Sequence, residues 1–129
     1  MIEQRKSHCE DCQERCRNAF AASLSPAIDE QKRTLVFARG EKIFHQDDSA
    51  DSFYCLQDGT VQIYRNSQER EHSFSIAGPG QWIGHRDILL DRPRSHSART
   101  LSRVVVCKFP ARLLYESLLK EPAVQMSLL

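Results

Sequence analysis

The sequence predicts a mainly β domain, an antiparallel sandwich, barrel or jelly roll, with a helix in front of it and helices behind. Three observations carry that expectation. Short apolar runs recur at near-regular spacing between residues 36 and 109, broken by punctuation rich in glycine and aspartate. One break, Asp58-Gly59, lies between two alternating runs, which is the mark of a tight hairpin. On either side of this stretch the apolar spacing becomes helical.

In chain order, residues 1–18 are polar and read as an arm rather than core. Over residues 19–35, Phe20, Leu24, Ile28 and Leu35 keep helical spacing. Ser25-Pro26 supplies an N-cap followed by proline at the first helical position, so a short helix is expected over about 26–33. The strand runs are KIFHQ, SFYCLQ, TVQIYR, EHSFSIA, QWIG, SHSARTL and RVVVCKF. Between them stand ARGE, DDSAD, DG, NSQE, GPG and LDRP, and Asp47-Asp48 reads as a turn. After Phe109, Leu113, Leu114, Leu118 and Leu119 share one helical face, with Pro110 starting that helix and Glu121-Pro122 interrupting it. A further helix from Pro122 runs to the last residue, so the chain is expected to be a fragment, or a protein that stops where a longer relative continues. The pattern holds no internal repeat. The expected organisation is an arm over 1–18, a β domain with its leading helix over 19–109, and helices over 110–129.

Bulk properties narrow the function. A chain of 129 residues suits one domain with one core. Eighteen Lys plus Arg against 17 Asp plus Glu leave a net charge of +1, so no global charge draws the chain to nucleic acid or an anionic membrane. No apolar run reaches the roughly 20 residues that span a bilayer, and the polar start MIEQRKSHCEDC lacks the apolar stretch of a secretory signal. The cytoplasm is the expected location. There is no Ser/His/Asp motif, no glycine-rich phosphate loop and no HExxH, so no enzyme is expected.

The cysteines stand apart from this ordinary background. Cys9, Cys12 and Cys16 fall within eight residues, and Cys55 and Cys107 complete an odd total of five. In a reducing compartment clustered thiols point to metal or redox chemistry rather than to a disulfide scaffold. Residues alone leave several outcomes open: an iron–sulfur cluster, a zinc site completed by Cys107 or by His8, or no metal at all. Cys55 lies between apolar neighbours and reads as core. His45, His72, His85 and His96 form no i, i+4 pair and read as structural or solvated, and Arg15 and Arg17 read as an exposed basic arm.

Several separated motifs then fall in order. Phe37, Gly40, Glu41, Ile43, Phe44 and Asp48 form F-x-x-G-E-x-I-F-x-x-x-D, followed by SFYCLQDGTVQIY, GPGQWIG and SARTLSRVVVCKFPARLLYESL. Over roughly residues 20–129 the chain resembles the sensory domain of the CRP/FNR superfamily of bacterial transcription regulators. The resemblance implies an antiparallel β-roll with Gly59, Gly78, Gly80 and Gly84 at its turns, plus a truncated dimerisation helix. Cyclic-nucleotide binders of that superfamily carry a glutamate just after the glycine matching Gly84, and an Arg-Ser pair before the alanine matching Ala98. Here those places hold His85 and His96-Ser97, with Arg94 and Arg99 displaced, so cyclic AMP is not expected. FNR-type members hold an oxygen-labile [4Fe–4S] cluster on three N-terminal cysteines and a fourth on a late strand. By that resemblance Cys9, Cys12, Cys16 and Cys107 are the expected ligands. Thiolates are the soft donors that cluster iron prefers, and the alternation of Cys107 with Val106 turns its sulfur away from the core toward the arm. The three-residue gap between Cys12 and Cys16 is shorter than in the best-known FNR proteins. The expected function is an oxygen- or redox-sensing regulatory domain; the alternative is a roll that binds a small molecule or cyclic nucleotide, with Arg94, Ser97 and Arg99 facing its pocket. The resemblance also implies a homodimer in the full-length protein, weak or monomeric association of this chain, and DNA contact only through a helix-turn-helix domain beyond it.

Overall fold

The computed structural model describes residues 2–3 and 32–115. Among the described residues, nine strands and one short helix follow each other as β1 (Ile2–Glu3), β2 (Arg33–Phe37), β3 (Lys42–Phe44), β4 (Ser52–Asp58), β5 (Val61–Ser67), β6 (Arg70–Ala77), β7 (Trp82–Ile83), α1 (His85–Leu89), β8 (Ser97–Thr100) and β9 (Val104–Pro110). They form two antiparallel sheets, ordered β1-β2-β9-β4-β7 and β3-β8-β5-β6. This is the mainly β roll that the strand pattern predicts. All seven apolar runs became strands. The expected helix over 26–33 lies outside the described residues, apart from its end, which differs. Arg33 opens β2, and Leu35, expected on a helical face, pairs with Val106 of β9.

The main core lies between the sheets. Leu35 and Phe37 of β2, Tyr54 and Leu56 of β4, and Val104 and Val106 of β9 meet Val61 of β5 and Ala98 of β8 there. Each such side chain contributes about 1.5–3 kcal/mol by leaving water. A second apolar layer covers the other face of the five-stranded sheet: Phe53, Cys55, Cys107 and Phe109 pack with Ile88, Leu113 and Leu114. Strand β4 is therefore buried on both faces, which explains why SFYCLQ is a continuous apolar run with no polar side. On the four-stranded sheet, β6 is an edge strand and shows Phe74 and Ile76 to solvent.

Three local expectations change. Asp58-Gly59 is not a hairpin. Its flanking strands belong to different sheets, β4 pairing with β7 and β9, and β5 with β6 and β8, so the turn carries the chain across the roll. Gly59 still matters there: φ is +88°, and an added Cβ would lie 2.3 Å from the Arg103 carbonyl oxygen and 2.8 Å from Val104 Cγ2. The true hairpin joins β5 to β6 at Gln68 and Glu69, with φ of 51° and 64°, the double left-handed geometry of a type I′ turn built without glycine. Pro110 does not begin a helix; it ends β9 opposite Ser52, and the helical turn starts after it. Proline at a strand end loses no ladder bond, so both readings fit its chemistry.

Gly59→Ala is expected to lower stability by ~2 kcal/mol or more, since left-handed strain and a backbone clash act together. Chemical denaturation compared with Gly78→Ala, where an added Cβ meets nothing within 4 Å, checks it; equal effects at the two positions would refute the account.

Candidate functional site

Two places carry chemistry: the thiol-bearing outer face of the five-stranded sheet, and the 84–98 segment that closes one end of the roll.

Along β9 the side chains alternate. Val104 and Val106 enter the core between the sheets, while Cys107 and Phe109 join the outer layer. The Cys107 side chain leaves the inter-sheet core, but alternation with Val106 sends it into a second apolar core rather than out toward an arm. It is not solvent-exposed: the residue is 2% exposed, covered by the layer containing Leu113 and Leu114. The side chain is a thiol, and the Gln57 amide donates to its sulfur at 2.5 Å. Cys9, Cys12 and Cys16 lie outside the described residues. The start of the chain does not: Glu3 pairs with Leu35, and Leu35 with Val106. Glu3 is therefore in line with the neighbour of Cys107, two strand spacings or about 10 Å away. Six further residues lead to Cys9, and six extended residues span up to about 20 Å, so chain length permits that cysteine to reach Cys107.

Cys55 reads from sequence as core, and it is buried, 1% exposed. It is also the direct cross-strand neighbour of Cys107. The sequence shows a cysteine at a similar place in each of two apolar runs; only the register of β4 against β9 puts them opposite one another. Among the described residues no group of three or more His, Cys, Asp or Glu side chains is placed to hold a metal ion.

The 84–98 segment begins at Gly84, left-handed at φ 82°. Helix α1 follows, an element that sequence periodicity missed because five residues are too few to show it. Asp87 organises the loop. Its carboxylate accepts hydrogen bonds at 2.8 Å from Arg92 Nε and from Ser95 Oγ. Burial pushes the Asp87 carboxyl up, but the bonds from Arg92 and Ser95 outweigh it and hold the group below its ordinary value.

Arg94 then fastens the loop to the roll. It is 2% exposed. Its Nη1 donates to the Gly84 carbonyl at 2.5 Å and its Nη2 to the Ser52 carbonyl, while the guanidinium lies 4.2 Å from the centre of the Phe44 ring. Phe44 in turn stacks on Tyr54. Main-chain bonds of 2.8 Å run both ways between Arg94 and the Asp47-Asp48 turn. Gly84 is needed here twice, since a Cβ would come within 2.8 Å of Arg94 Nη1. The guanidinium is thus engaged inside the protein, and burial lowers its pKa.

The neighbouring groups are engaged too. Ser97 Oγ accepts from the Gln46 main-chain N–H at 2.8 Å. Arg99 pairs with Glu71 at 2.9 Å, bonds Gln62 and covers the Tyr64 ring. Of the three residues expected to face a pocket, Arg94 and Arg99 carry their charges on partners within the roll. His96 sits against Phe74, and burial first, then Arg65 and Arg92, press its pKa below the ordinary value despite the opposing pull of Asp87. At neutral pH it is an uncharged ring, unsuited to an anion.

Residues 34–121 match the family model for the cyclic nucleotide-binding domain. The chain belongs to that family. Similar proteins include the type II regulatory subunit of cAMP-dependent protein kinase of Drosophila melanogaster, 32% identical over 64% of this chain and 22% of its own length. The nitrogen fixation regulation protein FixK of Bradyrhizobium diazoefficiens is 30% identical over 84% of this chain and 46% of its own length. Among solved structures, the N-terminal domain of a transcriptional regulator from Streptomyces coelicolor A3(2) superposes with a TM-score of 0.66 at 28% identity, covering 88% of this chain and 85% of that one. The chain thus spans less than half the length of both curated relatives. No helix among the described residues is long and apolar enough to cross a membrane.

The lowered Asp87 pKa fixes a sign. A carboxyl depressed by folding stabilises the fold above its unfolded value near 3.8 and loses that contribution as pH falls through the lower folded value. Asp87→Asn is expected to reduce stability at pH 7 and to flatten the loss of stability below about pH 4. Denaturant midpoints measured from pH 7 to pH 2 test this, and parallel curves for the two proteins would overturn it.

Proposed function

We propose that this chain is the redox-sensing regulatory domain of a CRP/FNR-type transcription regulator, and that Cys9, Cys12, Cys16 and Cys107 hold a [4Fe–4S] cluster in its reduced state. One observation carries the reading: the Cys107 sulfur lies on the outer face of the five-stranded sheet, in the same sheet as the Ile2–Glu3 start of the chain. Soft thiolates suit cluster iron, and one buried thiol with an amide donor already aimed at its sulfur fits that donor set. When bound, the cluster supplies an oxygen-labile centre. The protein's own part is to exclude water and to pass on the change. Leu113 and Leu114 pack in the same layer as Cys107, and they open the segment that leads into residues 116–129. A ligand gained or lost at Cys107 shifts the packing of that segment, and in a longer protein this biases dimerisation and, through a helix-turn-helix domain, DNA binding.

A second reading, a roll that binds a small molecule, is favoured by two buried polar atoms. Tyr64 Oη and His96 Nε2 have no hydrogen-bond partner, and buried polar atoms call for one.

Protein purified without air is expected to contain iron and acid-labile sulfide and to absorb in the visible region, with all three lost in Cys107→Ala. Calorimetric titration of the metal-free protein with cyclic AMP is expected to give no binding. Iron-free, colourless protein after anaerobic reconstitution would overturn the cluster, and tight nucleotide binding would establish the second reading instead.

A further inference from the structure

One histidine of the 84–98 segment ends a hydrogen-bonded chain. Arg92 Nε and Ser95 Oγ both donate to Asp87 Oδ1 at 2.8 Å, and Ser95 Oγ lies 2.9 Å from His96 Nδ1. A serine hydroxyl has one proton to give. Asp87, held below its ordinary pKa, is a carboxylate that only accepts, so that proton goes to Asp87. Ser95 Oγ is then left to accept from His96 Nδ1–H. The neutral ring therefore carries its proton on Nδ1 and a bare lone pair on Nε2. That Nε2 is buried and has no partner among the described residues. The ring stands edge-on to Phe74 of β6, with centroids 4.3 Å apart and planes at 68°. Charged neighbours come from three elements: Asp87 on α1, Arg92 on the loop after it, and Arg65 on β5. From β6 the group in contact is the uncharged Phe74 ring.

We propose that His96 is a proton-operated latch on the 84–98 segment: the neutral ring holds the segment against β6, and a proton on Nε2 releases it. Nδ1 already donates to Ser95, so the second N–H must form at Nε2. There it would be a buried donor without an acceptor, on a ring that has become a cation. Asp87 favours that charge, but its carboxylate is already bonded by Arg92 and Ser95, and Arg65 and Arg92 oppose the charge. The cation reaches water only by leaving Phe74. His96 lies between Ser95, which holds Asp87, and Ser97, which accepts from the Gln46 main-chain N–H. Moving the ring pulls on both anchors, and on Arg94, whose main chain is bonded to the Asp47-Asp48 turn. Through Ile88 of α1, packed with Leu113 and Leu114, the loosened segment also disturbs the layer over β4 and β9. The latch needs neither a ligand nor a cluster. Above the ordinary histidine value of 6.5 the ring is neutral whether the latch is closed or open, and closure carries no penalty. As pH falls below 6.5 the released ring takes the proton first, so the closed form loses stability until the lowered folded value is passed, and the loss is constant below it.

Nitrogen NMR of the imidazole rings in the full chain tests the tautomer, with the His96 ring identified by its contact with the Phe74 ring protons. An Nδ1–H pattern is expected at about pH 7.5, and an Nε2–H pattern would overturn the latch. Hydrogen exchange, corrected for the intrinsic rate at each pH, then follows the main-chain N–H groups of Arg94 and Asp47 from about pH 7.5 to about pH 5, the range in which unperturbed histidine changes charge. Both are expected to lose protection in the wild-type chain as His96 takes its proton. His96→Asn keeps an amide nitrogen that can donate to Ser95 and takes no proton, so its protection is expected to hold. The same loss in His96→Asn would assign the effect to another group and defeat the latch. Where that variant does not fold, the wild-type chain decides alone: Arg94 and Asp47 opening at the pH where the His96 nitrogens titrate supports the latch, and their staying closed while His96 titrates refutes it.

Discussion

Strand β9 is the constraint on which the rest of this domain depends. It runs between β2 and β4 in the five-stranded sheet and is covered on both faces, by the inter-sheet core on one side and by the Ile88, Leu113 and Leu114 layer on the other. A strand in that position cannot slip. Moving it by one residue would push Cys107 into the roll interior and Val106 into the outer layer. The packing of Val104 and Val106 against Leu35 and Leu56 therefore decides, at a distance, which way a sulfur points. The placement of a reactive group is here a by-product of burying valines.

The same economy governs the 84–98 segment. In a family whose matching relatives include a regulatory subunit of cAMP-dependent protein kinase, this segment has its arginine turned inward. A guanidinium bonded through Nη1 and Nη2 to two carbonyl groups and laid over an aromatic ring keeps those partners only while the contacts hold, and its Nε has no partner even then. Breaking them to meet a ligand would take the Arg94 donor from the buried Ser52 carbonyl, at a cost of about 1–3 kcal/mol, and from the half-buried Gly84 carbonyl at less. Asp87, gripping Arg92 and Ser95, keeps the loop in the shape that allows this engagement. The roll end is built as a structural clasp, and through Ile88 it packs on the thiol-bearing layer of the β4–β9 pair.

How much of this was legible beforehand follows from the range of each interaction. Every strand run after residue 40 could be read, because alternation and turn residues are local. Arg33–Leu35 reads as the end of a helical stretch because Leu35 also satisfies a helical period, and only pairing with β9 makes it a strand. Asp58-Gly59 was read as a hairpin because its local chemistry is that of one, whereas the sheet to which each neighbour belongs is a long-range property. Helix α1 was too short to leave a period.

For the site, the sequence by itself determined the donor inventory: three thiols in an arm, one on a late strand, no glutamate after Gly84 and no arginine immediately before Ser97. It also determined which face of the sheet Cys107 takes, since alternation with Val106 is a two-residue matter, but not that this face is buried in a second apolar core. The tertiary structure alone decided that Cys55 faces Cys107, that Gln57 reaches the sulfur, and that Arg94 is engaged inside rather than offered to a ligand. These facts depend on strand register and on burial, which join residues 50 or more positions apart in the two thiol contacts and 10 and 42 apart at Arg94. No local pattern contains them, because each is set by which apolar faces meet when the two sheets close.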